Sequence, residues 1–459
     1  MKILPKPSFT ASQALGAVLL TGYVLMLAFN LPGHLSYDSL AQLHEGRFDV
    51  RETWGPVLYA WILGAFDEIV PGTGLYVAFS GFLLTGSLLS FRSLRRHVSW
   101  PAVALAALMV LSPTLLIYQG IVWKDVLFAN LAVAGFACLA HAVRVWEAPR
   151  RPWFALLAAM LAFAVAAQTR QNGLIVIVFA ALVLAWTARV RGWRSSLAWG
   201  FGGLVATVVL SSALAALTTP PQDGPDQGAA RGFRIIAHYD IVGSVVAKPT
   251  LPLDRIRAAD PEAERTIRYR AASLYSPERV DYMGQDPEIG RLWKLSDETV
   301  FGQWRDIVLR HPDAYLKHRW AVFRQVFATP KIDSCLPVYV GVTGPDTLIQ
   351  SLQMVQLVEP QDQALYNYST WFLDTPVFSH VFYALIALVV AGVLVWRGEA
   401  VDLVIAALLL SALAFTASFA LISIACDYRY LYFLDVAALS GLLYLALDPP
   451  YGRFRRRLR

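Results

Sequence analysis

Long apolar runs alternate with short polar interruptions along this chain, and most runs have the ~20 residues a helix needs to cross about 30 Å of hydrocarbon. About ten spanning helices are predicted, near 12–32, 72–91, 100–118, 125–143, 153–168, 173–188, 196–217, 379–396, 403–424 and 430–447. The runs are continuous rather than alternating, so they do not read as strands of a barrel. The pattern divides the chain into a membrane part at 1–217, a loop domain at 218–378 and a last membrane part with a basic tail at 379–459.

Two interruptions break this rhythm. In the first, at 33–71, the apolar stretch Val57 to Phe66 is too short to span. It predicts a pair of helices lying at the membrane interface, with Trp54, Tyr59 and Trp61 as aromatic anchors and Gly55-Pro56 opening the second helix. The second starts with the breaker-rich Thr218-Thr219-Pro220-Pro221-Gln222-Asp223-Gly224-Pro225, a linker by composition. Beyond it, helical patches at 301–310 and 315–320 carry aromatic and basic residues suited to resting on a membrane surface or capping a site.

Charge orients the helices. Arg92, Arg95, Arg96, Arg144, Arg150, Arg151, Arg189, Arg191, Arg194, Arg397 and the tail 453–459 fall on one side, which the positive-inside rule makes cytoplasmic. Both termini are therefore expected inside, in the plasma (inner) membrane, with the first helix kept as an anchor although Lys2 and Lys6 precede it. The opposite face receives 33–71, the loop at Asp125, the turn 168–173, the loop domain and 426–429. Composition agrees: 56% of residues are hydrophobic, more than a soluble domain hides from water, so the chain is an all-α polytopic membrane protein. The net charge of +6 sits in inner loops, where lipid headgroups account for it, and nucleic-acid binding is excluded as a reading. Three cysteines make no disulfide framework: Cys138 falls inside a helix, while Cys335 and Cys426 share the outer side and are open to pairing.

Candidate chemistry lies at the outer helix ends. Asp38 follows the first span by a few residues, where an ionised carboxylate needs water, a metal or a cation; alone it also reads as a solvated loop residue. Tyr37, Gln42, His44 and Glu45 are able to share its entrance. Asp125 opens the fourth span beside Lys124, either as a helix-terminal charge or as half of a pair that holds a phosphate. Arg170 and Arg429 sit in otherwise apolar surroundings and read as lipid-snorkelling cations or as a shared anion site, and Asp435 lies a few residues into the last helix, at the interface or beside a cation. His311 and His318 are too poorly spaced for zinc, and no nucleotide-binding motif is present.

With Tyr37-Asp38, Gly55-Pro56-Val57-Leu58-Tyr59, Trp123-Lys124-Asp125, Arg170-Gln171-Asn172-Gly173 and Arg429-Tyr430-Leu431-Tyr432 in this order, the chain resembles the GT-C superfamily of membrane glycosyltransferases, which includes protein mannosyltransferases and aminoarabinose transferases. The resemblance implies sugar transfer from a polyprenyl-phosphate donor to a glycan, lipid or protein acceptor, with Asp38 catalytic and Asp125 a ligand of a metal or of the donor phosphate. Gly55-Pro56 stands where many members carry His-Pro-Pro, and the first-loop carboxylate is a single aspartate. The chemistry needs a base for the acceptor hydroxyl, a role for Asp38, and positive charge on the departing phosphate, a role for Lys124, Arg170 and Arg429. Mg²⁺ or Mn²⁺ held partly by Asp125 would add Lewis acidity, and a lipid-linked donor requires no nucleotide. Competing readings are a flippase for a lipid-linked sugar, a polysaccharide polymerase or ligase using Arg231, Arg234, His238, His311 and His318, and a non-catalytic scaffold.

Overall fold

In a computed structural model the described residues are 10–53, 55–147, 153–220, 228–284 and 286–449. Trp54, Arg150, Arg151, the linker residues from Pro221 to Pro225, the N-terminal lysines and the basic tail lie outside them. Helices dominate: α1 Ala11–Asn30, α2 Tyr37–Phe48, α3 Val57–Ile69, α4 Gly74–Leu94, α5 Trp100–Leu111, α6 Pro113–Leu116, α7 Lys124–Arg144, α8 Trp153–Thr169, α9 Leu174–Ala188, α10 Trp193–Thr218 and α11 Gly228–Ala247. Short helices follow, with longer ones at Asp297–Arg310 and Pro312–Ala328, before the apolar helices His380–Arg397, Ala400–Ile422 and Tyr432–Leu447. β-Structure among the described residues is confined to isolated bridges.

Among the described residues eight helices are long and apolar enough to span a membrane, and α8, with 17 residues, is a shorter apolar one. The run read as a single helix at 100–118 is instead a broken pair, α5 and Pro113–Gly120, bent by 65°. Pro113 has no N–H to donate and disfavours helical backbone at Ser112, which is extended (ψ 137°). The break frees carbonyls that hydrocarbon cannot solvate, so side chains take them. Tyr368 donates to Leu111, Tyr432 to Thr114 and Asn30 to Leu116, each at 2.8 Å, while the His34 amide donates to Gly120 at 2.9 Å.

At one end of the bundle Arg95 bridges Glu399 and Asp402, and Arg397 lies 3.0 Å from Asp402. Arg92 reaches the Ser12 carbonyl at 3.0 Å, so Arg92, Arg95 and Arg397 of the expected group share this end. The other end carries α2 and α3, which cross so closely that a Cβ on Gly46 would lie 1.9 Å from the Ala60 carbonyl oxygen and one on Gly64 would lie 2.1 Å from that of Gly46. Arg47 closes the hairpin with two 2.6 Å bonds to Asp67. Tyr59, expected as an interfacial anchor, is fully buried instead, its hydroxyl 3.2 Å from that of Tyr76; Trp61 is exposed.

The region 218–378 divides its apolar side chains between two clusters. Those from Ala237 to Val322 form a separate core, whereas Val326, Ile332, Cys335, Ile349, Leu365 and Phe378 join the core of the membrane helices. A disulfide between Cys335 and Cys426 ties the second group to the loop before the last helix.

Candidate active site

Asp38 owes its position to two serines. Ser39 Oγ donates to the Val122 carbonyl at 2.6 Å, and Ser36 Oγ accepts from the Trp123 indole at 2.9 Å. The backbone joins the same two segments: the Val122 amide donates to the His34 carbonyl at 3.0 Å. The start of α2 is thereby docked onto the start of α7, and Asp38 stands beside the Trp123-Lys124-Asp125 corner. His34 makes the dock rigid. Its Nδ1 accepts from the Gly341 amide at 3.0 Å, so Nε2 carries the proton toward Asn30 Oδ1 at 2.9 Å.

Arg429, in the 3₁₀ turn Tyr428–Leu431 that leads into the last helix, reaches into this corner and faces three carboxylates. Its NH2 lies 2.5 Å from Asp38 and 3.2 Å from Asp427, and its Nε lies 4.0 Å from Asp125. The guanidinium also rests on Trp123, 4.8 Å from the ring centroid. Arg170, from the turn between α8 and α9, ion-pairs with Asp125 and packs between Phe419 and Tyr430. Neither arginine snorkels to lipid: their side chains are only 10% exposed.

Asp125 belongs to the first turn of α7, where the helix dipole favours a carboxylate, but its oxygen engages Arg170 and makes no cap. Its second oxygen and Arg429 Nε are buried without hydrogen-bond partners among the described residues. Burial alone would raise the Asp38 carboxyl, but the charge of Arg429 and then that of Lys124 hold it below its ordinary value.

These groups open into one cavity of about 330 Å³. Its charged wall carries Asp38, Arg51, Lys124, Arg170 and Arg429, four cations against one carboxylate. Gln168, Gln171 and Asn172 extend the polar side, and Ala215, Ile235, Ile236, Phe419 and Ile422 form an apolar side. Such a cavity suits an anion joined to an apolar chain, because each part meets its own kind of surface.

The carboxylates do not make a metal centre. Asp38 and Asp125 face guanidinium groups, and no cluster of three His, Cys, Asp or Glu able to hold a cation occurs among the described residues. Thus Asp38, Lys124, Asp125, Arg170 and Arg429 come together, but Asp125 meets cations rather than further ligands.

Other residues have different places. Glu45 accepts from the Glu52 and Thr53 amides at 2.8 and 2.5 Å and shapes the loop. His44 faces Glu52 at 3.6 Å, and Tyr37 is exposed. Asp435 pairs with His380 at 2.9 Å and accepts from Tyr428 at 2.8 Å, within the helix bundle. His238 packs against Trp293, and His318 lies between Asp240 and Tyr275, so these two histidines are buried within the loop domain, while His311 is half-buried ahead of Pro312. Arg51 and Asp427 were not among the sequence candidates. Asp427 had a signal in its spacing, two residues before Arg429; Arg51 had none, being placed by its 2.5 Å bond to the Gly55 carbonyl.

No family model and no curated protein matches the chain. Solved structures do. The archaeal oligosaccharyltransferase AglB from Archaeoglobus fulgidus, in complex with an inhibitory peptide and a dolichol-phosphate, is 12% identical with a TM-score of 0.40, covering 96% of this chain and 51% of its own. The same organism's oligosaccharyltransferase in complex with Zn and sulfate is 13% identical with a TM-score of 0.40, over 96% and 50%. ArnT from Cupriavidus metallidurans, bound to undecaprenyl phosphate, is 16% identical with a TM-score of 0.35, over 94% and 77%. The chain thus spans about half the length of the archaeal enzyme.

Proposed function

We propose that this protein is an integral membrane glycosyltransferase that moves a sugar from a polyprenyl-phosphate donor to an acceptor on the outer face, with inversion at the anomeric carbon. The observation that carries this reading is the convergence of Asp38 with Lys124, Arg170 and Arg429 on a cavity with one charged and one apolar side. The cations hold the donor phosphate and the apolar side receives the start of its isoprenoid chain.

The acceptor hydroxyl oxygen attacks the anomeric carbon as the bond from that carbon to the phosphate oxygen breaks. The hydroxyl proton passes to Asp38, and the electron pair of the broken bond stays on the polyprenyl phosphate, where Lys124, Arg170 and Arg429 stabilise it. A single carboxylate on the cavity wall, Asp38, suits one direct displacement, hence inversion. When phosphate takes up Arg429, Asp38 loses the partner that lowers its basicity and becomes the stronger base the step needs. Asp38 and Asp125 are engaged by guanidinium groups, and no step is assigned to Mg²⁺ or Mn²⁺.

The test compares cells lacking the protein with cells carrying the wild type or Asp38→Asn, by lipid and glycan profiling. The wild type should restore a glycan product that Asp38→Asn does not, with polyprenyl-phosphate sugar accumulating in both defective strains. Full restoration by Asp38→Asn, expressed at wild-type level, would remove Asp38 as the base.

A further inference from the structure

The connection Ser423–Asp427, which leads from the helix Ala400–Ile422 to Arg429, is held by the loop domain at four points. Arg319 NH1 donates to the Ser423 carbonyl at 2.8 Å, while its other terminal nitrogen lies 2.6 Å from Asp240 in the domain's core. The Val280 amide donates to the Ile424 carbonyl and the Cys426 amide to the Glu278 carbonyl, both at 2.8 Å, forming an antiparallel bridge between Arg279 and Ala425. Cys426 is joined to Cys335. Finally, Arg279 NH2 donates to Asp427 Oδ1 at 2.7 Å, and the other Asp427 oxygen takes Arg429 at 3.2 Å.

Arg279 does not line the cavity. Asp427 is nearly buried, so its charge must be matched locally. With Arg279 on one oxygen, Asp427 orients Arg429 by a single contact and leaves the rest of the guanidinium for other anions. Without Arg279, both oxygens are drawn to Arg429, whose field toward the cavity is then diminished. We infer that Arg279 is a positioning residue for the donor phosphate, acting through Asp427 on Arg429, with the Cys335–Cys426 disulfide fixing the connection that carries them. This rests on the proposed function, since it takes the phosphate to be Arg429's ligand.

The experiment measures binding of polyprenyl phosphate, with uncharged polyprenol as control, to the full-length protein in nanodiscs. Arg279→Gln should weaken phosphate binding by about tenfold, the scale of one charge-assisted contact, and leave polyprenol binding unchanged. Arg279→Lys should recover most of the loss, and the double variant Cys335→Ser, Cys426→Ser should weaken phosphate binding in the same direction. A merely structural arginine would instead lower the melting temperature and bind phosphate as the wild type does once folded. Unchanged phosphate affinity in folded Arg279→Gln overturns the inference and leaves the proposed function intact. A wild type that does not prefer the phosphate over the alcohol overturns both.

Discussion

Arg170 and Asp125 show how much one pair decides at the scale of a residue. Asp125 is 3% exposed and ion-paired to Arg170, so Arg170→Ala removes the closest guanidinium from a buried carboxylate and leaves that of Arg429 4.0 Å away. Loss of stability of roughly 3 kcal/mol is expected, the usual effect of stranding one member of a buried pair. Adding Asp125→Asn to Arg170→Ala should return most of that stability but not the affinity for polyprenyl phosphate. Thermal melts and lipid binding on the two single variants and the double variant check this; additive melting shifts would show that the pair is not coupled. Each of the two residues stood out in the sequence as a charge in apolar surroundings. Their partnership did not, because a separation of 45 positions says nothing about which helices adjoin.

Among the elements, the hairpin of α2 and α3 carries Asp38, the proposed base. Gly46 and Gly64 let the two helices touch backbone to backbone, and Asp38 lies on the first turn of the same α2. Gly64→Val should push the helices apart, displace Asp38 from Lys124 and Arg429, and lower transfer at least tenfold, a common cost of a misplacement near 1 Å. An active Gly64→Val enzyme with a normal melting temperature would show that α2 is positioned by its serines alone. The pair of interfacial helices was legible from a run too short to span, and so was the start of α3 at Gly55-Pro56. Their contact was not, since glycine reads equally well as a loop residue or a close approach. The break at Pro113 was legible in principle, yet the apolar run across it has the length of one span, and hydropathy does not register a bend.

For the whole molecule, buried histidines set the response to acid. Burial pushes His34 down to about 4 against the attraction of Asp362, and burial with the charge of Arg234 pushes His238 to about 4. Both stay neutral in the fold while the unfolded chain begins to take up protons near pH 6.5. Their stability is therefore complete above that pH and declines as pH falls toward 4, by on the order of 2 kcal/mol per histidine at pH 5. Melting temperature measured from pH 7.5 to pH 5 should fall, and His238→Phe should flatten part of the slope; a flat wild-type profile would contradict the neutral assignment. His34 sits in the dock behind Asp38 and His238 is buried against Trp293 in the loop domain, so acid loosens both supports of the site.

The sequence by itself determined the membrane class, the positions of most apolar helices and the charged side chains proposed to handle an anionic donor. Those follow from local quantities: run length against bilayer thickness, and charge that hydrocarbon does not tolerate without a reason. Only the tertiary structure decided that Asp38, Lys124, Arg170 and Arg429 share one cavity, that Asp125 stands behind its wall facing cations, and that Asp427 and Arg279 stand behind Arg429. The reason is range. A helix is fixed by neighbours within a few residues, whereas the contact of Asp38 with Arg429 closes a loop of 391 residues, and its existence depends on how every helix between them packs.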